Sequence, residues 1–452
     1  MSTTILSTPF SAVADEVSRY ARSKQLQPAA HRLIPGGAHT YAKGDDQYPE
    51  LAPGFIDRGL GCHVWDVDGN EYIEYGMGLR SVTLGHAYAP VVEAAYQAML
   101  RGSNFTRPAA IEIEAAETLV AMIPGTEMVK FAKNGSDVTT AALKLARAYT
   151  GRDLVAICGD HPFFSVDDWF IGTTGMPGGI PENIRRQTLK FRYNDLASLA
   201  ALFEAYPEQI SCVFMEAETT EPPEAGYLQS VIDLCHHHGA LFVLDEMITG
   251  FRWHNGGAQT LYGITPDLST FGKGIGNGFA VSALVGKTPI MERGGLLHDQ
   301  ERVFLLSTTH GAETHSLAAA IATMHTYQEQ DVIGQMHRQG ERLARGVRQA
   351  AADLGIGDYF EVAGRSSNLI FVTRDADKNR SQPFRTLFMQ ELIRRGVLGP
   401  SFVISYSHSD ADVDFTIEAV TGALRVYCRA LEDGVEQYLV GRPVKPVFRP
   451  KN

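Results

Sequence analysis

Cysteine is scarce in these 452 residues, and no two of the five (Cys62, Cys158, Cys212, Cys235, Cys428) form a CxxC pair. An odd, scattered set argues against a disulfide framework and against a cysteine-based zinc site; reduced thiols in a cytoplasmic protein are expected. Long apolar runs are absent as well. No stretch approaches the roughly 18 consecutive apolar residues of a membrane helix. The opening segment lacks the basic-then-apolar pattern of a secretory signal, so neither membrane nor export is expected. Positive charge is in deficit, with 40 Lys+Arg against 52 Asp+Glu and a net charge of −12. A nucleic-acid partner, which asks for a basic face, is therefore not expected. What is present is 44% hydrophobic and 20% charged residues, enough for a large buried core.

The pattern along the chain is that of an α/β protein. An amphipathic helix (about Ala12–Arg32) leads through the Gly/Pro-rich loop 34–39 to a hairpin, where 62–66 and 71–75 alternate on either side of Asp68-Gly69-Asn70. Short apolar strands are then expected at Met128–Ala132, Leu154–Cys158, Cys212–Glu216, Leu241–Met247, Leu268–Phe271 and Val281–Val285. Helical stretches such as Thr139–Tyr149, Asp195–Ala205 and Leu228–His238 separate them, which means a buried, mostly parallel sheet. Beyond residue 316 a long helix leads into a smaller αβ unit. The expected domains are an entry segment 1–60, a large domain 61–315, a small domain 316–440 and a surface arm 441–452.

Three segments carry chemistry. Strand 241–247 ends in the acidic pair Asp245-Glu246, and open α/β sheets bind ligands outside the carboxyl ends of their strands. Lys273 sits in a glycine-dense loop after the next strand, where backbone can approach a bound group closely. Asn134-Gly135-Ser136-Asp137 joins a strand to a helix and offers backbone N–H groups and a hydroxyl to a phosphate. Taken singly, Asp245 could be a helix cap or ion-pair partner, Lys273 a surface lysine, and the turn a plain N-cap. Together they ask for one ligand with a phosphate, a cationic nitrogen and an aldehyde. Pyridoxal phosphate has all three. His236-His237-His238 is expected to be a helix end beside its carbonyls rather than a metal site, because consecutive helical residues point apart.

The chain resembles class III pyridoxal-phosphate aminotransferases, most closely the glutamate-1-semialdehyde aminomutase-like branch. The resemblance runs from about Ala29 to Leu431. It is carried by His63–Tyr75, Gly85-His86, Ala146–Arg152, Asp245–Arg252, Gly257-Ala258-Gln259, Pro266-Asp267-Leu268 and Gly272-Lys273. It implies fold type I: a large domain built on a mostly parallel, seven-stranded sheet, with a smaller αβ C-terminal domain. It also implies a homodimer with active sites shared across the subunit interface, and pyridoxal 5'-phosphate as cofactor, cycling through pyridoxamine 5'-phosphate. By position, Lys273 is similar to the family's Schiff-base lysine and Asp245 to the partner of the ring nitrogen. Gly135 and Ser136 stand at the phosphate-binding pair, and Thr309 at the phosphate-binding threonine of the other subunit. Met247 takes the place beneath the ring, and Glu216 matches the glutamate of the family's Glu-Pro strand end. His161, with Phe163 second, is expected to stack on the ring where the family has a tyrosine.

The substrate-facing segments depart from the aminomutase. Its Ser-Pro-Val-Arg is replaced by Ala38-His39-Thr40-Tyr41, its later glutamate by Pro400, and its Ser-Gly-Asn-Pro by a run containing Glu313. Polar groups at His39, Tyr41, Lys43, Asp160, His161, Asp168 and Glu313 suit hydroxyl groups better than a lone carboxylate. The expected activity is therefore amino transfer from a small amino donor to a carbonyl acceptor, sugar-derived or otherwise polyhydroxylated. The aminomutase reaction is the alternative.

Overall fold

The hairpin closes as its residue types require. Asp66 Oδ1 accepts from the N–H groups of Asp68 (3.0 Å) and Asn70 (2.8 Å), and Gly69 supplies the left-handed residue with φ 87°. Asp68 in turn caps helix Ala21–Leu33, accepting from the N–H of Arg22 (2.6 Å) and from the N–H and hydroxyl of Ser23. In this computed structural model, residues 19–451 are described. The first seven positions of the expected N-terminal helix, Ala12–Ser18, lie outside that range. The described residues divide into two compact units: one joins the chain up to Met77 to His337–Val447, and the other comprises Gly78–Met336 with the tail from Phe448. The expected boundaries were consecutive along the chain, whereas the first unit is built from both ends of it.

In that unit β1 (Ile56–Leu60), β2 (His63–Asp66) and β3 (Glu71–Glu74) form an antiparallel sheet. The second unit holds β4 (Met128–Ala132), β5 (Leu154–Cys158), β6 (Thr188–Phe191), β7 (Ile210–Glu216), β8 (Leu241–Asp245), β9 (Leu268–Phe271) and β10 (Ser282–Gly286). These make one seven-stranded sheet in the order β4-β10-β9-β8-β7-β5-β6, parallel except for β10, which is antiparallel to both of its neighbours. Alternate residues of the central strands enter two cores. Val155, Ile157, Cys212, Phe214, Leu241 and Val243 pack with helix Gly135–Thr150. Ala156, Cys158, Val213, Met215, Phe242 and Leu244 pack with residues of helices Leu196–Ala205 and Tyr227–His237. A sheet covered on both faces explains why these strands are apolar throughout; each fully buried large side chain contributes roughly 1.5–3 kcal/mol.

The C-terminal part of the first unit adds β11 (Phe360–Ala363), β12 (Asn368–Thr373), β13 (Val397–Leu398) and β14 (Phe402–Val403). β13 pairs in parallel with β3, with Val397 opposite Ile73, and so ties the two ends of the chain into one sheet. The basic tail lies on the body: Arg442 donates to the Asp45 carbonyl (2.7 Å), the Val444 N–H to Thr386 (2.9 Å) and the Lys445 N–H to the Asp46 carbonyl (3.0 Å). All five cysteines are free thiols. Among the described residues, no helix is long and apolar enough to cross a membrane.

Candidate active site

Four strand ends of the seven-stranded sheet and one turn build the site. β4 ends at Ala132, and helix Gly135–Thr150 begins three residues later. Asp137 reaches back to accept from the N–H of Asn134 (2.8 Å), closing a capping box that opens the helix at Gly135 and Ser136. The first N–H groups of this 16-residue helix have no carbonyl partner within it, which makes an anion cradle. β7 ends at Glu216 and β8 at Asp245, directly opposite each other in the parallel register. β9 ends at Phe271, and Lys273 follows with a left-handed φ of 43°. A lysine in that conformation is disfavoured and is held by its surroundings.

The electrostatics follow from burial. Asp245 is 1% exposed; burial raises its pKa, while Lys273 and hydrogen bonds from the Met247 N–H (2.9 Å) and the Thr270 hydroxyl (3.2 Å) hold it down. Glu216 is pushed up by burial and by the charge of Asp245, against the attraction of Lys273 and Arg80. Burial lowers the pKa of Lys273, opposed by Asp245 and Glu216. The neighbouring acid, Glu246, does structural work. Its carboxylate accepts from the N–H groups of Ala258 (2.9 Å) and Gln259 (2.8 Å) and from the Thr249 hydroxyl, anchoring the turn after β8.

Met247 packs against both glycine loops. A Cβ on Gly135 would stand 3.0 Å from its sulfur, and one on Gly272 only 2.6 Å. The phosphate turn, Met247 and the lysine loop are thus in mutual contact, which explains glycine at both positions. His161 is buried, and its Nδ1 accepts from the Glu216 N–H (3.0 Å). Burial lowers its pKa to about 4, so the ring is neutral with its proton on Nε2. Phe163 lies at the surface, stacked on Phe448 with centroids 6.5 Å apart.

The remaining expected residues are placed elsewhere. Thr309 is exposed, and its carbonyl accepts from Asn104 (3.0 Å). Glu313 is engaged by Lys133 (2.6 Å), His310 (3.1 Å) and His315 (3.6 Å), which pins the Thr309 segment to the phosphate turn. His39, Tyr41 and Lys43 are exposed on short turns of the first unit. Asp160 accepts from the Tyr193 N–H (2.8 Å), and Asp168 opens the short helix Asp168–Ile171. The three histidines 236–238 end a helix, His236 bonded to Asp267 (2.9 Å) and His238 stacked on Phe203. Sequence reasoning did not single out Arg80, whose charge acts on both Glu216 and Lys273. Its only signal was an arginine after the paired glycines Gly76 and Gly78.

The donor set fits pyridoxal 5'-phosphate. A helix N-terminus and a serine suit the phosphate, a buried carboxylate suits a cationic ring nitrogen, and a depressed lysine suits an aldehyde. Two buried polar atoms, Glu216 Oε2 and His161 Nε2, have no partner among the described residues and remain available to such a ligand.

Comparison with known proteins agrees. Residues 43–158 and 176–399 match the family model for aminotransferase class-III. The chain is 32% identical over 428 residues to a glutamate-1-semialdehyde 2,1-aminomutase of Desulforamulus reducens, spanning 90% of this chain and 98% of that one. It is also 32% identical over 431 residues to glutamate-1-semialdehyde 2,1-aminomutase 1 of Bacillus cereus, spanning 90% and 99%. Among solved structures, the PLP internal aldimine form of the FumI protein of Sphingopyxis sp. MTA144 superposes with a TM-score of 0.83 at 28% identity, covering 91% of this chain and 98% of that one. A glutamate-1-semialdehyde aminomutase of Pseudomonas aeruginosa PAO1 shares the fold, with a TM-score of 0.79 at 20% identity over 91% and 97%. With the family model covering most of its length, the chain belongs to the class III aminotransferases, fold-type I enzymes that work with pyridoxal 5'-phosphate.

Proposed function

We propose that this chain moves an amino group from a small amino donor to a carbonyl acceptor, with Lys273 as covalent anchor and proton carrier. The observation that carries this is the meeting of Lys273, Asp245 and Glu216 at adjacent strand ends, with the Gly135–Ser136 helix terminus at the same end of the sheet. When bound, pyridoxal phosphate supplies an aldehyde for the amine and an electron sink for the substrate's α-carbon. The Gly135 and Ser136 N–H groups would hold its phosphate, and Asp245 would keep its ring nitrogen protonated. Met247 and His161 would pack against the ring. Burial lowers the pKa of the Lys273 amine, which favours its acting as a proton acceptor, as carrying a proton from the α-carbon requires.

Thr309 acts in the partner subunit of a homodimer. Helix Thr314–Glu329 has Glu313 as its N-cap residue, so neither Thr308 nor Thr309 is spent on capping it. Leu100 (64% exposed), Phe105 (53%) and Ile113 (64%) leave an apolar surface in the same unit that a second subunit would cover.

The aminomutase reaction is the second reading, supported by the relatives named above. The absence of Ser-Pro-Val-Arg at 38–41 and of a glutamate at Pro400 weighs against it. The test is spectroscopic. Amino donors are screened for bleaching of the cofactor's visible band, and carbonyl acceptors for its recovery. A donor and acceptor that together give turnover with net amino transfer support transamination. Isomerisation of glutamate-1-semialdehyde, with no such pair found, supports the mutase instead.

A further inference from the structure

Residues 80–85 lie along the loop that carries Lys273. The Thr83 hydroxyl donates to the Gly274 carbonyl (3.4 Å), and the Asn277 side chain accepts from the Leu84 N–H (2.8 Å) and donates to the Gly85 carbonyl (3.1 Å). From the other side Arg252, on the turn that follows Asp245, donates to the Arg80 carbonyl (2.7 Å). The Arg80 backbone is therefore pinned between the two loops that bear the acid and the lysine.

Its conformation is unusual. Gly78, Leu79 and Arg80 are all left-handed, with φ of 56°, 56° and 72°. Glycine tolerates this, but a leucine and an arginine in succession do not adopt it without outside support. The Ser81 hydroxyl, donating to the Gly78 carbonyl (2.7 Å), locks the turn. Disfavoured backbone held by bonds to two active-site loops is a means of aiming one side chain. The half-buried guanidinium acts electrostatically on Glu216 and on Lys273, lowering the pKa of each.

We propose that Arg80 is an anion-binding, specificity-determining residue of the substrate site, taking a carboxylate or a phosphate of the amino donor or acceptor beside Lys273. This rests on the amino-transfer reading above. The planar fork of a guanidinium grips either oxyanion through two parallel N–H bonds, and partial burial strengthens them. A substrate without the anionic group forms neither of these bonds and is disfavoured accordingly. The polyhydroxylated acceptor expected from the sequence would thus also carry an acid group.

The experiment uses the pyridoxal-phosphate-loaded protein and two unreactive probes, glutarate and methylphosphonate. Each is titrated into wild type, Arg80→Gln and Arg80→Lys while the cofactor's visible band and the melting temperature are followed. A saturable response to one or both probes is expected, identifying carboxylate, phosphate or both. In Arg80→Gln the affinity should fall at least about tenfold, with Arg80→Lys between the two because it keeps the charge but loses the fork. With a reactive anionic donor, Arg80→Gln should raise KM more than it lowers kcat. Should the Gln variant not fold, the drop in Arg80→Lys decides. Unchanged probe affinity in the variants, or no response in wild type, overturns the inference. A protein with no cofactor band, or with no reducible label on Lys273, instead overturns the amino-transfer reading on which it rests.

Discussion

Acid should unfold this protein through two buried histidines. His161 in the second unit and His408 in the first are 4% and 0% exposed, and burial pulls each from the ordinary 6.5 to about 4. In both rings Nδ1 meets a backbone donor, the Glu216 N–H (3.0 Å) and the Ser405 N–H (3.0 Å), so the neutral form is the one built into the fold. Because the folded value lies below the unfolded one, the unfolded chain takes up protons first as the pH falls. Stability present at pH 7 is lost from about pH 6.5 downward, until the folded rings also titrate near pH 4. Between pH 7 and pH 5 the loss is about 2 kcal/mol per histidine, a large share of a typical stability of about 5–15 kcal/mol. Urea unfolding of the holoenzyme at both pH values measures it. Asn places an oxygen where Nδ1 accepts, so His161→Asn and His408→Asn should each remove about 2 kcal/mol of the pH dependence. An undiminished acid loss in both variants would refute the reasoning.

Two further substitutions probe the site itself. Gly272→Ala places a Cβ 2.6 Å from the Met247 sulfur, although the glycine's φ of −176° is ordinary extended backbone. The cost is therefore steric, about 1–3 kcal/mol in thermal unfolding together with weaker cofactor retention. Adding Met247→Val should recover much of it; additive losses in the double variant would contradict the contact. Asp245→Asn keeps an oxygen for the Met247 N–H and the Thr270 hydroxyl, so the fold should persist. Cofactor affinity should drop, and turnover should fall by at least about a hundredfold. Near-wild-type turnover would mean that another acid serves the ring.

The central sheet was legible because its strands are short, apolar and separated by strongly periodic helices. β4, β5 and β9 have the expected ends, and β8 stops at Asp245, two residues short, because the Asp245 side chain turns back to the Met247 N–H. β6 was not foreseen. It is a four-residue edge strand carrying Lys190, whose charge suits an edge but hides the apolar signal. The pairing of β13 with β3 joins residues more than three hundred positions apart through a two-residue strand, for which there is no local pattern. The same difference runs through the site. Lys273, Asp245 and Gly135 stand in loops with recognisable spacing, whereas Arg80 is placed by its backbone conformation, by a distant bond from Arg252 and by the hold of Asn277 on nearby Leu84. Glu313 resembled a substrate contact in sequence, and only its ion pairs with Lys133, His310 and His315 show what occupies it.

The covalent anchor is the most direct test of the account. The holoenzyme is reduced with borohydride, digested and mapped for pyridoxyl-lysine. A single label on Lys273, absent from Lys273→Ala although that variant still binds cofactor through the Gly135–Ser136 turn, is the predicted result. A label on another lysine, such as Lys133 beside the phosphate turn, would contradict it.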